Sequence, residues 1–251
     1  MPDDIALRPA VTDRTQLDSE FYIVATAAPA DDQRRVLKHD DAFMLMDRYG
    51  DVQQAGLGEQ GLYVEGTRFL SHWLLGLGRE RPLLLDSSIG PNNSALTVQM
   101  TNPDMRIGEE VAIQRGTLQL HRSTLLWQGT AYQRLTIVNY GLAPIRFTLI
   151  LQFGADFADI FEVRGVVRRR HGRRLRPVVE RGQVVLGYEG LDGVVRRSAI
   201  SCEPAPQALT RDAARFELAL QPKAGTAVAL AVTCESSVRP RPSPPSFEQA
   251  A

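Results

Sequence analysis

The sequence predicts an all-β chain built as a large antiparallel sandwich, and three observations carry that prediction. Apolar residues alternate with polar ones in segment after segment, Gly, Pro and Asn mark the breaks between segments, and no stretch after residue 40 shows a helical stripe of ten or more residues. The length of 251 residues suits a single β-sandwich with enough core to fold without disulfide or metal staples.

Residues 1–19 are polar and acidic with little pattern and read as a flexible segment. Phe21, Ile23 and Ala25 are spaced to begin the first strand of a sandwich domain spanning 20–238. Leu118 and Leu120 run in one phase, whereas Leu125 and Trp127 run in the other, so a bulge is expected near Arg122 and Ser123. Gln128-Gly129 offers a tight turn into the strand of Leu135 and Ile137. Ile145, Phe147, Leu149, Leu151 and Phe153 alternate with Arg146, Thr148, Ile150 and Gln152, the pattern of a strand laid over a core. Phe216, Leu218 and Leu220 repeat it, as do Val228, Leu230, Val232 and Cys234. Residues 239–251 contain Pro240, Pro242, Pro244 and Pro245 and read as a linker or tail, since proline cannot donate to a sheet ladder. A linker near the end of the sequence suggests the front part of a longer protein, or a domain whose partner is a separate chain.

Charge and cysteine usage exclude several classes. Lys plus Arg equals Asp plus Glu at 29 each, so neither nucleic acid nor an anionic membrane is expected as the main partner. Neither a signal peptide nor an 18-residue apolar span is visible, and a cytoplasmic location with Cys202 and Cys234 as free thiols is expected. His39, His72, His121 and His171 have none of the short paired spacings that clamp a metal, and no cofactor is expected.

Three constellations carry candidate chemistry. Tyr63, Glu65, Arg68, His72 and Trp73 hold the residue types of a sugar site, an aromatic plate with charged groups for hydroxyls, and Asn92 and Asn93 follow a Gly90-Pro91 turn. On one alternating strand Phe69, Ser71 and Trp73 would share a face, which favours Trp73 as core and His72 as a structural histidine. Asp156, Asp159 and Glu162, spaced by three, would cluster on one face of a helical turn in FADIFE. They read either as a sugar-facing acidic cluster or as a capped turn paired with Arg164, and the residues alone favour the second. The run from Arg164 to Arg181 reads as an exposed hairpin with its turn at Arg170–Arg173, Val166 and Val167 leading in and Val178 and Val179 leading out. Phosphate or nucleic acid binding is the rival reading, and no interleaved aromatics support it.

The segments LKHDDAFMLMDRYGDV, GLYVEGTRFLSHWLLGL, RPLLLDSSIGPNNSALTVQMTNPD, QGTLQLHRSTLLW and FADIFEVRG together resemble the N-terminal domain of bacterial glycogen debranching enzymes of the amylo-alpha-1,6-glucosidase type, over roughly residues 36–235. The resemblance implies a mutarotase-like supersandwich that packs, in cis or in trans, on a catalytic (α/α)6 barrel. That barrel would carry the acid and base for α-1,6-glucoside hydrolysis. Nothing after Val238 resembles it, so the expected role is non-catalytic, with an α-glucan or oligosaccharide as ligand. The expected substrate-binding or barrel-facing residues are Tyr63, Glu65, Arg68, His72, Asn92, Asn93, Asp156, Asp159, Glu162 and Arg164. Segments Tyr63–Trp73 and Phe153–Gly165 are expected at one end of the sandwich. The rivals are a stand-alone α-glucan-binding module, marked by exposed aromatics on a concave face, and a basic-hairpin polyanion binder.

Overall fold

The structure, a computed structural model, describes residues 34–53, 58–180, 182–238 and 247. The expected Phe21–Ala25 strand, the 1–19 segment and, apart from Phe247, the 239–251 tail lie outside the described residues. Arg35–His39 (β1), Ala42–Met46 (β2), Gly61–Val64 (β3) and Thr67–Leu70 (β4) form a four-stranded meander. His72–Leu77 (β5) follows after a break at Ser71. Leu83–Ile89 (β6) and Ala95–Thr101 (β7) pair, Met105–Ile107 (β8) and Glu110–Ile113 (β9) make a small ribbon, and Leu118–Trp127 (β10) pairs with Thr130–Asn139 (β11) along its whole length. Ile145–Gly154 (β12) leads to one helical turn, Ile160–Val163 (α1). Arg173–Arg174 (β13), Val178–Glu180 (β14), Gln183–Glu189 (β15), Val195–Glu203 (β16), Ala208–Leu209 (β17), Ala213–Leu220 (β18) and Gly225–Ser236 (β19) complete the fold.

One layer is a nine-stranded antiparallel sheet in the order β13-β15-β16-β19-β11-β10-β7-β6, with β14 paired to β15. Facing it are the meander β1-β2-β3-β4 and a second four-stranded sheet, β17-β18-β12-β5. Their inner faces meet in a single apolar cluster that includes Leu37, Met44, Leu70, Trp73, Leu120, Leu135, Phe147, Phe153, Phe216 and Val228. Period-two burial is plain in much of β18 and β19, as the sequence pattern requires, whereas in β12 Leu149–Phe153 are all buried, Ile150 and Gln152 included, so this strand is covered on both faces. The fold is therefore the all-β antiparallel sandwich that the pattern predicts. Gln128 (φ 45°) and Gly129 (φ 69°) form the predicted two-residue turn, both in the left-handed conformation that suits a hairpin.

Two expectations are corrected. No bulge occurs near Arg122 and Ser123, because β10 keeps an unbroken register with β11 along its whole length and with β7 from Gln119 to Leu125. Leu118, Leu120, Arg122, Thr124 and Leu126 are all buried on the same face, and Arg122 itself has no exposed surface. The apparent phase change came from reading a buried arginine and a buried threonine as solvent-facing. The basic run is not a hairpin of 166–167 with 178–179 either. β14 turns back onto Val184 and Val185, β13 pairs with Tyr188 and Glu189, and Val166 and Val167 stand exposed outside any strand. Two short pairings to β15 satisfy the backbone better than a hairpin that would bury like charges side by side.

Arg122 is tolerated in the core because every side of its guanidinium is met. One nitrogen donates to the carboxylate of Asp51 at 2.6 Å and to the Tyr49 carbonyl at 2.8 Å. The Gln133 amide, oriented with its oxygen inward, accepts from Arg122 Nε at 2.7 Å, from its second terminal nitrogen at 2.9 Å and from Trp73 Nε1 at 3.0 Å. Arg81 completes the cluster by donating to Asp51 at 2.7 Å, pairing with Asp47 and stacking over the Tyr49 ring at 3.7 Å. Burial pushes the Asp51 carboxyl upward, and the two arginines pull it back. Removing one partner of such a pair leaves the other buried and uncompensated. Arg122→Met is expected to lower stability by about 3–5 kcal/mol in urea unfolding.

Candidate functional site

Asp156 and the β3–β4 hairpin meet at one corner of the sandwich through a two-pronged ion pair. Arg68 Nε donates to one Asp156 oxygen at 3.0 Å, and a terminal nitrogen of the same guanidinium pairs with the other oxygen. The remaining prong of Arg68 donates to the carbonyls of Gly58 and Gln60. Gly61 is required here by close approach, since a Cβ would lie 2.7 Å from the Leu70 carbonyl oxygen and 2.5 Å from the Arg68 side chain. Backbone bonds zip the two segments together: Arg68 N donates to Ala158 O at 2.9 Å, Ile160 N to Gly66 O at 2.8 Å and Ser71 N to Gly154 O at 2.8 Å.

The FADIFE segment makes the predicted helical turn, and its carboxylates divide their work. Asp159 caps α1 by accepting from Phe161 N at 2.9 Å, while Glu162 reaches back to Asp159 N at 3.0 Å, a complete capping box. The other Glu162 oxygen faces His171 at 3.2 Å, and Asp159 pairs with Arg168 at 3.2 Å. The expected single acidic face does not form, because Asp156 precedes the turn and is committed to Arg68. Arg164 follows the turn as its exposed C-terminal cap and pairs with none of the three.

The pairing of the β3–β4 hairpin with the segment after β12 brings Arg68, Asp156, Asp159, Glu162 and Arg164 into one region, where the charges are largely paired with one another. The aromatic part of the palette is internal. Tyr63 is 2% exposed, stacked on Phe43 at 4.7 Å, with its hydroxyl donating to Glu59 O. Phe69, Trp73 and Phe157 are buried as well, and Phe161 alone of this group is exposed. Tyr63 and Trp73 are thus supports of the core and not sugar plates. Glu65 (φ 49°) and Gly66 (φ 76°) are the two left-handed positions of the β3–β4 turn, and the Glu65 charge acts on Arg196. The Glu-Gly pair is a turn signal that a reading by residue palette passes over. Asn92 and Asn93 are exposed in the β6–β7 turn, where the Asn93 carbonyl accepts from Lys38 N at 2.8 Å, and they do not line the corner. Asp47, Asp51, Arg81 and Arg122 had no local signal beyond the acidic pair flanking Gly50.

Between α1 and the β13–β15 end of the nine-stranded sheet lies a cleft of about 380 Å³, bordered by Arg68, Asp156, Glu162, His171, Arg174 and Tyr188. Its floor is a ring stack: Phe157, held at φ 55°, packs edge-on to Phe69 and face to face with Tyr188, each at 5.7 Å. The Tyr188 hydroxyl accepts from Gly172 N at 2.7 Å, which draws the basic segment over the cleft. His171, Gly172, Arg174 and Tyr188 were not among the expected site residues, because only the pairing of β13 with β15 brings them here. Among the described residues no group of three or more His, Cys, Asp or Glu side chains is arranged to hold a metal, and no helix is long and apolar enough to cross a membrane. Cys202 and Cys234 form no disulfide, and burial pushes the Cys202 thiol up to about 12.

The fold is an all-β antiparallel sandwich, and the chain matches the model of the N-terminal domain of (some) glycogen debranching enzymes over residues 37–231. The chain belongs to that family. No curated protein matches it. Among solved structures it is similar to a protein from the human microbiome assigned as a kojibiose phosphorylase, at 11% identity and a TM-score of 0.55, over 81% of this chain and 30% of that one. It is also similar to an Escherichia coli K12 protein assigned as an aldose 1-epimerase, at 11% identity and a TM-score of 0.44, over 80% of this chain and 98% of that one. A galactose mutarotase related enzyme from Lactobacillus acidophilus matches at 7% identity and a TM-score of 0.47, over 81% of this chain and 98% of that one. The first likeness is one of fold, and the chain spans 30% of the length of that protein.

His72 lies at the start of β5 beside this corner. Burial lowers its pKa from the usual 6.5, against a hydrogen bond to Gln152 and the charge of Asp212, which both favour the protonated form. The unfolded chain then binds a proton near pH 6.5 that the folded chain refuses, so this histidine's contribution to stability is present above that pH and is lost as pH falls below it. Urea midpoints measured from about pH 7.5 down to about pH 5 should fall more steeply in the wild type than in His72→Gln.

Proposed function

We propose that this chain is the non-catalytic N-terminal sandwich of a debranching-type α-1,6-glucosidase, packing on a helical catalytic barrel and shaping the rim of its glucan cleft. The observation that carries this reading is the family match across 37–231, most of the sandwich. Hydrolysis of a glycosidic bond needs two carboxyl groups facing each other across the sugar, about 5–10 Å apart and free to exchange protons. The acidic residues of the corner support a different use: Asp156 is spent on Arg68, and Asp159 and Glu162 are spent on capping. Barrel contact is supported by Phe161, Val166 and Val167, which are 58%, 54% and 83% exposed among Arg164, Arg169 and Arg170. Apolar groups ringed by guanidinium groups suit a desolvated interface with a charged rim. A cytoplasmic setting goes with this role and keeps both thiols reduced.

The purified chain incubated with branched limit dextrin is expected to release no glucose, and supplying the barrel, in the same polypeptide or as a separate chain, should bring the activity. Release by the chain alone that disappears in Asp156→Asn or Glu162→Gln would overturn the non-catalytic reading.

A further inference from the structure

We propose that Phe161, Val166, Val167 and the arginines of residues 164–176 form a docking strip for an acidic segment of this same chain, residues 18–32. Seven arginines and no Asp or Glu occur between 164 and 176. Arg168 pairs with Asp159 and Arg173 with Glu189, while the other five have no hydrogen-bond or ion-pair partner among the described residues. Phe161, Val166 and Val167, each more than half exposed, stand among them. The backbone is open as well. Val166 N donates to Phe161 O and Gly172 N to the Tyr188 hydroxyl, but the amides of 167–171 have no acceptor among the described residues. Guanidinium forks for carboxylates, an apolar centre and unbonded amides are together what holds an extended acidic peptide.

Residues 1–33 lie outside the described residues, and their sequence carries the opposite charge, seven Asp and Glu against Arg8 and Arg14. Within them Phe21, Tyr22, Ile23 and Val24 sit between Asp18 and Glu20 on one side and Asp31 and Asp32 on the other. An apolar centre between charges is the pattern of the strip with its sign reversed. The point of entry is also close. Arg34 pairs with Glu59 at 2.6 Å, and the carbonyls on either side of Glu59, those of Gly58 and Gln60, accept from Arg68, which borders the same cleft as His171 and Arg174. At about 3.4 Å per extended residue, Phe21 can lie up to about 45 Å from Arg34. Tethering keeps the segment at an effective concentration on the order of 1 mM, so weak contacts suffice. This contact is independent of the debranching reading, and a barrel seated on the same strip would displace the segment.

Hydrogen exchange of the full chain, measured at about 50 mM and about 0.5 M salt, tests the contact. At low salt the amides of 167–171 and of 20–25 should exchange at least about fivefold more slowly than in free peptide, and high salt should remove most of that protection. Asp18→Asn, Glu20→Gln, Asp31→Asn and Asp32→Asn together should abolish it in both segments. Arg169→Ser with Arg170→Ser should do the same. These two arginines are exposed and without partners among the described residues, so their loss should leave the urea midpoint unchanged and separate undocking from unfolding. Exchange at free-peptide rates in the wild-type chain overturns the docking and leaves the strip to a separate partner. Protection of 167–171 that survives neutralisation of the four carboxylates overturns the occupant, as does protection that grows with protein concentration, the mark of a second copy. Glucose release by the isolated chain, the failure of the debranching reading, would leave these exchange rates untouched.

Discussion

Asp51 and Arg122 form the contact on which the two layers of this sandwich depend. Arg122 belongs to β10 in the nine-stranded sheet, and Asp51 lies in the β2–β3 connection of the meander and is tied to the facing layer by the Val52–Trp73 backbone pair and by Leu75 N. A charge pair buried this completely tolerates neither a shift of one sheet over the other nor the loss of a partner, because each misplaced group would stand desolvated and alone. Gln133 and Trp73 extend the same constraint across both layers. Apolar packing supplies most of the cohesion, as in any sandwich, and would accept several registers; the polar cluster accepts one.

Arg68 and Asp156 play a comparable part at the edge, joining the meander to the turn after β12. Ser198 of the large sheet reaches the Phe69 carbonyl in the same neighbourhood, so three sheets meet at this corner. Everything that borders the cleft hangs on that junction: the capped turn, the ring stack beneath it and the basic strap above. The corner's charges are therefore first of all structural.

Much of the architecture was legible because strands announce themselves locally. β18 and β19 largely follow their period-two patterns, the Gln128-Gly129 turn falls where the glycine marks it, and Asp159 with Glu162 three positions later is a cap readable without a structure. The site was legible only in part. Arg68 and Asp156 were both singled out, but as groups facing outward to a sugar, whereas their pairing across 88 positions turns them inward. Tyr63 and Trp73 have the composition of a sugar plate and the burial of a core.

The sequence by itself determined the all-β class, most strand phases, the capped turn and the family, because each of these rests on residues within a few positions of one another or on an ordered set of motifs. The tertiary structure alone decided that Arg122 is interior, that Asp51, 71 positions away, neutralises it, and that the arginine-rich segment folds onto β15 instead of onto itself. The reason is physical. A charge is stable in a core only where a distant partner is delivered to it by the closing of two sheets, and pairing at that range leaves no trace in the local pattern of apolar and polar residues.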